Sequence, residues 1–202
     1  PTMRRVKLFF NGIDPDYARQ YQNWTYFFNE DEKKELLDLN NLSNSEASVR
    51  VLKKLLREAE AIDANNRIQF VDLKSYLVDN ILEYTDRSSM AVSLEVRVPL
   101  LDYRLVEFGL ALPFHFKINK GVSKAILRQC CADLIPSESL RGPKKGFCPP
   151  LANWMITLDK YFDTHLTLPY TKREGILQWN MIQKLRAEHK SGKRDRSMEL
   201  FG

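Results

Sequence analysis

Apolar residues recur at helical spacing in segment after segment of this chain, and that periodicity limits the fold more than any other feature. Between Glu46 and Ile62 the apolar positions Val49, Leu52, Leu55, Leu56, Ala59 and Ile62 form one stripe, and Lys, Arg and Glu fill the other face. Tyr17, Tyr21, Trp24 and Phe28 repeat the spacing nearer the start and predict a core-facing helix. Asn29 reads as an N-cap, followed by Glu30, Asp31 and Glu32 in the first turn of a helix. "NNLSNS" reads as a linker whose Ser43, Asn44 or Ser45 can cap the next helix, which "DANN" ends. A further helix is predicted from about Val71 to Tyr84. Asp102 is placed to cap a short helix carrying Leu105, Val106 and Leu110, which stops before Pro113. "INKGVS" reads as a turn, Lys124 to Leu134 as a helix, and residues 151–167 and 175–190 as two more. "LRGPKKGFCPP" holds too much Gly and Pro for regular structure. Alternating strands and internal repeats are absent from the pattern, so the chain reads as mostly α.

At 202 residues, 44% hydrophobic and 28% charged, the composition is that of a globular protein with room for a core. Aromatic residues, 11% of the chain, run along its whole length and argue against disorder. The sequence has no apolar run of the roughly 20 residues needed to span a bilayer. Cys130, Cys131 and Cys148 have neither CxxC spacing nor an even count, so neither a disulfide framework nor a zinc site is expected. That usage points to a reducing, cytoplasmic setting. His115, His165 and His189 lie far apart and outside metal-ligand spacings. The net charge of +5 leaves room for an anionic partner. Much of the excess sits at Lys184, Arg186, Lys190, Lys193, Arg194 and Arg196, which read as a solvated helix end in preference to a nucleic-acid surface. The N-terminus begins with Pro, and the chain is read as part of a longer product or as a processed one.

Phosphate-loop, dinucleotide, HExxH and GxSxG motifs are missing. Two stretches concentrate unusual charge. "DRSSMAVSLEVRVPLLD", Asp86 to Asp102, is apolar enough for a core yet holds Asp86, Arg87, Glu95, Arg97 and Asp102. Charges in apolar surroundings are costly unless paired or used. Arg87, expected at a helix exit after Tyr84, suits bidentate pairing with a carboxylate or phosphate. Glu95 and Arg97 share a side if the segment is extended. From the residues alone, a buried ion-pair network accounts for Glu95, Arg97 and Asp102, while Arg87 fits either a structural or a functional role. In "RGPKKGF", Pro143 stiffens the backbone before Lys144 and Gly146 frees it after Lys145. A lysine on such a loop can stabilise negative charge developing on a phosphate; from the residues alone, two solvated lysines in a turn are the narrowly preferred reading.

Three segments in order, "DLKSYLVDNILEYTDRSSMAVSLEVRVPLLDYRLVEFGLALP", "GVSKAILRQCCADLIPSESL" and "RGPKKGFCPPLANW", resemble the C-terminal part of glutamine-hydrolysing asparagine synthetases, the asparagine synthase family. The likeness is tightest over residues 72–154. It implies the helical C-terminal portion of an α/β adenine-nucleotide α-hydrolase-like domain of the PP-loop ATP pyrophosphatase type, with residues 1–202 as a single helical unit. Members of the family join a glutaminase, which releases ammonia, to a synthetase that binds ATP through an SGGxDS loop. The synthetase adenylates aspartate in the presence of Mg2+, and ammonia then converts β-aspartyl-AMP to asparagine and AMP. By the same resemblance Lys144 stabilises charge as pyrophosphate leaves, with Lys145 beside it, and Arg87 lies near the substrates. Asp86, Glu95, Arg97 and Lys124 bind substrate or hold the site in shape.

SGGxDS and the glutaminase cysteine do not occur in this sequence. The expectation is therefore a catalytically inactive fragment that neither ligates a metal nor holds ATP tightly. Its partner would be the N-terminal half of the same chain, with aspartate, glutamine and ATP as substrates of the intact ligase. Homo-oligomers formed through exposed apolar surface are also expected. Two alternatives stay open: a related amidoligase with another carboxylate acceptor, and a non-catalytic helical binding module. Binding to nucleic acid or membrane is not expected.

Overall fold

Asn29 fixes one helix start as its sequence suggests. Its side chain accepts a hydrogen bond from the Glu32 N–H at 2.8 Å, and the Glu32 carboxylate accepts from the Asn29 N–H, closing a capping box. This helix, α2 (Glu30–Leu36), follows α1 (Tyr17–Thr25), where Asp16 accepts from the Ala18 N–H at 3.0 Å. The computed structural model describes residues 6, 9–38, 47–142 and 149–201. Helices dominate them, and the one sheet among them is a two-stranded hairpin. Where the sequence suggests one helical unit, the structure divides into two compact ones: residues 1–51 with 146–202, and residues 52–145. Helix α3 (Ala47–Glu58) carries the chain from the first into the second.

The first unit adds α10 (Leu151–Thr157), α11 (Asp159–His165), α12 (Leu168–Glu174), α13 (Trp179–Lys190) and α14 (Ser197–Phe201) to α1 and α2. Its core contains Ala18, Tyr21, Val49, Leu151, Met155, Met181, Ile182 and Leu185. On α13 the buried residues Met181, Ile182, Leu185 and His189 share one face. A short bridge between Leu37 and Leu177 ties the exit of α2 to the entry of α13, with the Asp38 N–H donating to the Ile176 carbonyl at 2.9 Å. Gly175 ends α12 in the left-handed region, at φ 64°, its N–H bonded to the Thr171 carbonyl. The apolar face expected on α1 is corrected. Ala18, Tyr21 and Gln22 are buried, while Tyr17 and Trp24 are exposed, and Trp24 stacks on Phe9. Residues 151–167, expected as one helix, form α10 and α11 and the lead into α12.

The second unit runs through α4 (Ala64–Lys74), a π-helical turn (Leu77–Leu82), α5 (Glu83–Met90), a 3-10 turn (Pro99–Leu101), α6 (Tyr103–Ala111), α7 (Phe114–Lys117), the hairpin β1 (Ile118–Asn119) and β2 (Val122–Ser123), α8 (Ala125–Cys130) and α9 (Ser137–Arg141). "DANN" begins a helix instead of ending one: Asp63 accepts from the Asn65 and Asn66 N–H groups. The helix expected from Val71 to Tyr84 is interrupted at Ser75, whose backbone leaves the helical region at φ −129°, ψ −86°. The Ser75 hydroxyl donates to the Val71 carbonyl at 2.7 Å, one turn back. Helix then resumes past Tyr84 to Met90, because the π turn carries the chain through without a break.

Burial in this unit is thin. Leu52, Ala59 and Val71 supply its buried apolar side chains. None of the residues from Tyr76 to Leu140 is buried. Tyr84, Met90, Val92, Leu94, Leu100, Tyr103, Phe108 and Leu134 are all more than half exposed.

Candidate functional site

Helix α5 presents Arg87 one turn after Glu83, and the two form an i,i+4 ion pair in the favourable order, acid before base. Arg87 is therefore inside a helix and not at the exit expected after Tyr84. Its side chain is 79% exposed, so the guanidinium has donors free to meet another anion. Asp86 precedes it on the same helix, and its carbonyl accepts from the Ser89 hydroxyl at 3.1 Å. Glu95 and Arg97 lie two residues apart in irregular chain and pair at 2.5 Å, both well exposed. Asp102 caps α6 through the Arg104 N–H at 3.0 Å and holds the Arg104 guanidinium with two further hydrogen bonds of 2.9 Å. Those hydrogen bonds hold the Asp102 carboxyl below its ordinary range.

The buried network expected for this stretch is thus corrected to local, exposed pairs. Its apolar residues, Met90, Val92, Leu94, Val96, Val98 and Leu100, are themselves exposed, so the charges keep their water. Exposed pairs stabilise a fold by about 0–1 kcal/mol each, so fold stability gives little reason for these charges to be here.

Lys124 stands at the start of α8 in the left-handed region, at φ 57°, ψ 36°, without a side-chain cap bond. A lysine there carries backbone strain of about 1–2 kcal/mol, and its side chain is exposed. Among the described residues, no ion pair or hydrogen bond joins Arg87, Lys124 and the Glu95–Arg97 pair to one another. Lys144 and Lys145 lie outside the described residues.

Sequence reasoning missed the charged centre of the first unit. Arg196, read as part of a solvated tail, is 3% exposed and donates to Glu32 at 2.8 Å, Glu188 at 2.8 Å and Glu199 at 2.9 Å. Burial alone would lower its pKa, but the three carboxylates outweigh it and hold the guanidinium charged. Arg186 joins Asp159 and Asp163, each at 2.9 Å, and Lys184 joins Glu35 at 2.8 Å. Lys190 and Arg194 also meet carboxylates. His189 is buried, its Nδ1 accepting from the Arg196 N–H at 3.1 Å and its Nε2 lying 2.9 Å from the Ala152 carbonyl. Periodicity shows the α13 face but not which distant carboxylate returns to it. In the second unit the half-buried Lys117 donates to Asn66 at 2.5 Å and Gln69 at 2.9 Å. Burial lowers its pKa, and the charge of Asp63 offsets part of that.

Residues 4–202 match the family model for asparagine synthase, which extends the likeness well beyond residues 72–154. The chain belongs to the asparagine synthase family. It is 27% identical over 98% of its length to asparagine synthetase [glutamine-hydrolyzing] 1 of Bacillus subtilis, covering 31% of that protein. Against the putative asparagine synthetase [glutamine-hydrolyzing] of Mycobacterium bovis it is 29% identical over 71% of its length, covering 22% of the relative. Against the human asparagine synthetase [glutamine-hydrolyzing] the identity is 38% over 39% of the chain and 15% of that protein. The chain thus spans about a third or less of the relatives it matches. No solved structure matches it significantly.

Asparagine synthase family membership raises the question of a metal. Among the described residues no group of three or more His, Cys, Asp or Glu is placed to hold one. The residues in hand do not fit a magnesium site, and no step is assigned through that ion. Among the same residues no helix is long and apolar enough to cross a membrane.

Proposed function

We propose that this chain is the helical back wall of a PP-loop-type synthetase domain. The intact protein would make asparagine from aspartate and glutamine-derived ammonia. In the first step an aspartate side-chain carboxylate oxygen attacks the α-phosphorus of ATP, forming β-aspartyl-AMP and expelling pyrophosphate. In the second, ammonia attacks the activated carbonyl, the C–O bond to AMP breaks, and asparagine, AMP and a proton are released. The family match over residues 4–202 carries the reading.

The geometry supports a role for Arg87. Its guanidinium is exposed and held in direction by Glu83 on a regular helix, so it can meet an anionic substrate without rearranging. Lys144 acts on the departing pyrophosphate, with Lys145 next to it. Lys124, Asp86, Glu95 and Arg97 bind substrate or shape the wall. The uncovered apolar surface from Tyr76 to Leu134 supports a partner: the nucleotide-binding half of the same chain, which closes over this wall and brings ATP, Mg2+ and the glutaminase. Without that half the wall is inactive.

The test is product formation by the natural full-length protein given ATP, Mg2+, aspartate and glutamine. Asparagine and AMP should appear in equal amounts. Lys144→Ala should slow the reaction by about 3 kcal/mol of transition-state stabilisation, as for loss of one preorganised charge donor. Equal turnover by wild type and Lys144→Ala would remove Lys144 from the mechanism. Amide formation only with a different carboxylic acid would move the protein to the related amidoligases.

A further inference from the structure

The first unit contains a polar cavity that the ligase reading does not use. It lies where α1 meets the start of α2, has a volume of about 210 Å³, and includes Asp14, Arg19, Gln22, Glu30 and Asp31 in its wall. Ile13 is the sole apolar residue among the described ones lining it. Gln22 and Glu30 are 1% and 3% exposed, and the Gln22 side-chain N–H donates to Glu30 Oε1 at 2.7 Å. Lys33 donates to that same oxygen at 2.5 Å. Two N–H donors therefore converge on Oε1. Gln22 Oε1 and Glu30 Oε2 are buried with no hydrogen-bond partner.

Both orphan atoms are acceptors, and one belongs to a carboxylate. A buried acceptor left unmade costs about 1–3 kcal/mol, more when it is charged. What completes the site must bring at least two donors. The described wall carries Asp14, Glu30 and Asp31 against Arg19, and with Lys33 paired to Glu30 the local balance is three negative charges to two positive. A positive ligand is favoured over a neutral one, and the volume admits a body of several heavy atoms. We propose that this cavity binds a small, hydrophilic primary ammonium compound, whose N–H groups donate to Gln22 Oε1 and Glu30 Oε2.

The probe is isotope-labelled ethanolamine, used on the natural full-length chain in equilibrium dialysis at constant ionic strength. One saturable site per chain is expected, competed by methylammonium but not by tetramethylammonium, which has the charge without the N–H donors. Glu30→Gln keeps the shape and removes the charge, and should weaken binding roughly tenfold or more, the scale of a lost charged hydrogen bond. If that variant fails to fold, the contrast between methylammonium and tetramethylammonium on the wild type still decides. The absence of saturable binding up to roughly 10 mM would mean that solvent fills the cavity and would overturn the proposal. Equal competition by tetramethylammonium, or unchanged affinity in a folded Glu30→Gln protein, would also overturn it.

Discussion

Arg87 and Arg196 are both arginines facing carboxylates, and the water around them decides what each is for. Arg87 is exposed with one partner; Arg196 is buried with three. Arg87→Ala in the full-length protein should change unfolding free energy by less than about 1 kcal/mol, while aspartate-dependent turnover falls roughly tenfold or more. Denaturant unfolding and a rate assay on the same preparation separate the two. Arg196→Met should leave Glu188 and Glu199 without their hydrogen-bonded cation and Glu32 with Arg194 alone, and destabilise the fold by about 3–5 kcal/mol. An unfolding free energy within 1 kcal/mol of wild type would contradict the role given to Arg196. The sequence shows both arginines equally. It cannot show exposure, because that depends on which residues distant along the chain return to cover them: Glu32 reaches Arg196 across 164 positions.

At the level of elements, caps were the most legible feature. Asn29 and Asp102 begin the helices their positions predict, since an N-cap is a local bond between a side chain and a backbone N–H two or three residues on. Asn29→Ala should cost about 1 kcal/mol, read as a lower denaturation midpoint. Interruptions were not legible. Ser75 breaks a run whose apolar spacing continues across it, and Tyr84 falls within a continuing helix because a π turn shifts the register without stopping the chain. Lys124 is a third case, since nothing in its neighbours demands a left-handed backbone. Lys124→Gly should relieve the strain and stabilise the protein by up to about 1 kcal/mol. If Lys124 serves the site, the same change should lower activity, so stability and turnover should move in opposite directions.

For the whole molecule, charge and apolar surface lead to different expectations. Hydrogen bonds from Arg186 and Arg196 depress the pKa values of Asp159 and Glu188, against the opposing effect of burial. A carboxylate depressed in the folded state contributes stability that is full above its unfolded pKa near 4 and is lost as pH falls through the folded value. The unfolding free energy should therefore hold between about pH 7 and 5 and drop below about pH 4, with a shallower drop in Arg186→Met. The apolar residues between Tyr76 and Leu134 leave the second unit with much uncovered surface. Residues 1–202 prepared alone should self-associate, so light scattering should give a mass that rises with concentration. A mostly helical chain could be read from the sequence, because periodicity is a local property. The division into two units and the thin burial of the second could not, because both depend on what the apolar stripes meet. Most directly, the ligase reading is tested by isotope exchange between pyrophosphate and ATP in the natural full-length protein, with and without aspartate. Exchange that requires aspartate and fails in Lys144→Ala is expected; exchange indifferent to aspartate, or none at all with Mg2+ and ATP saturating, would contradict it.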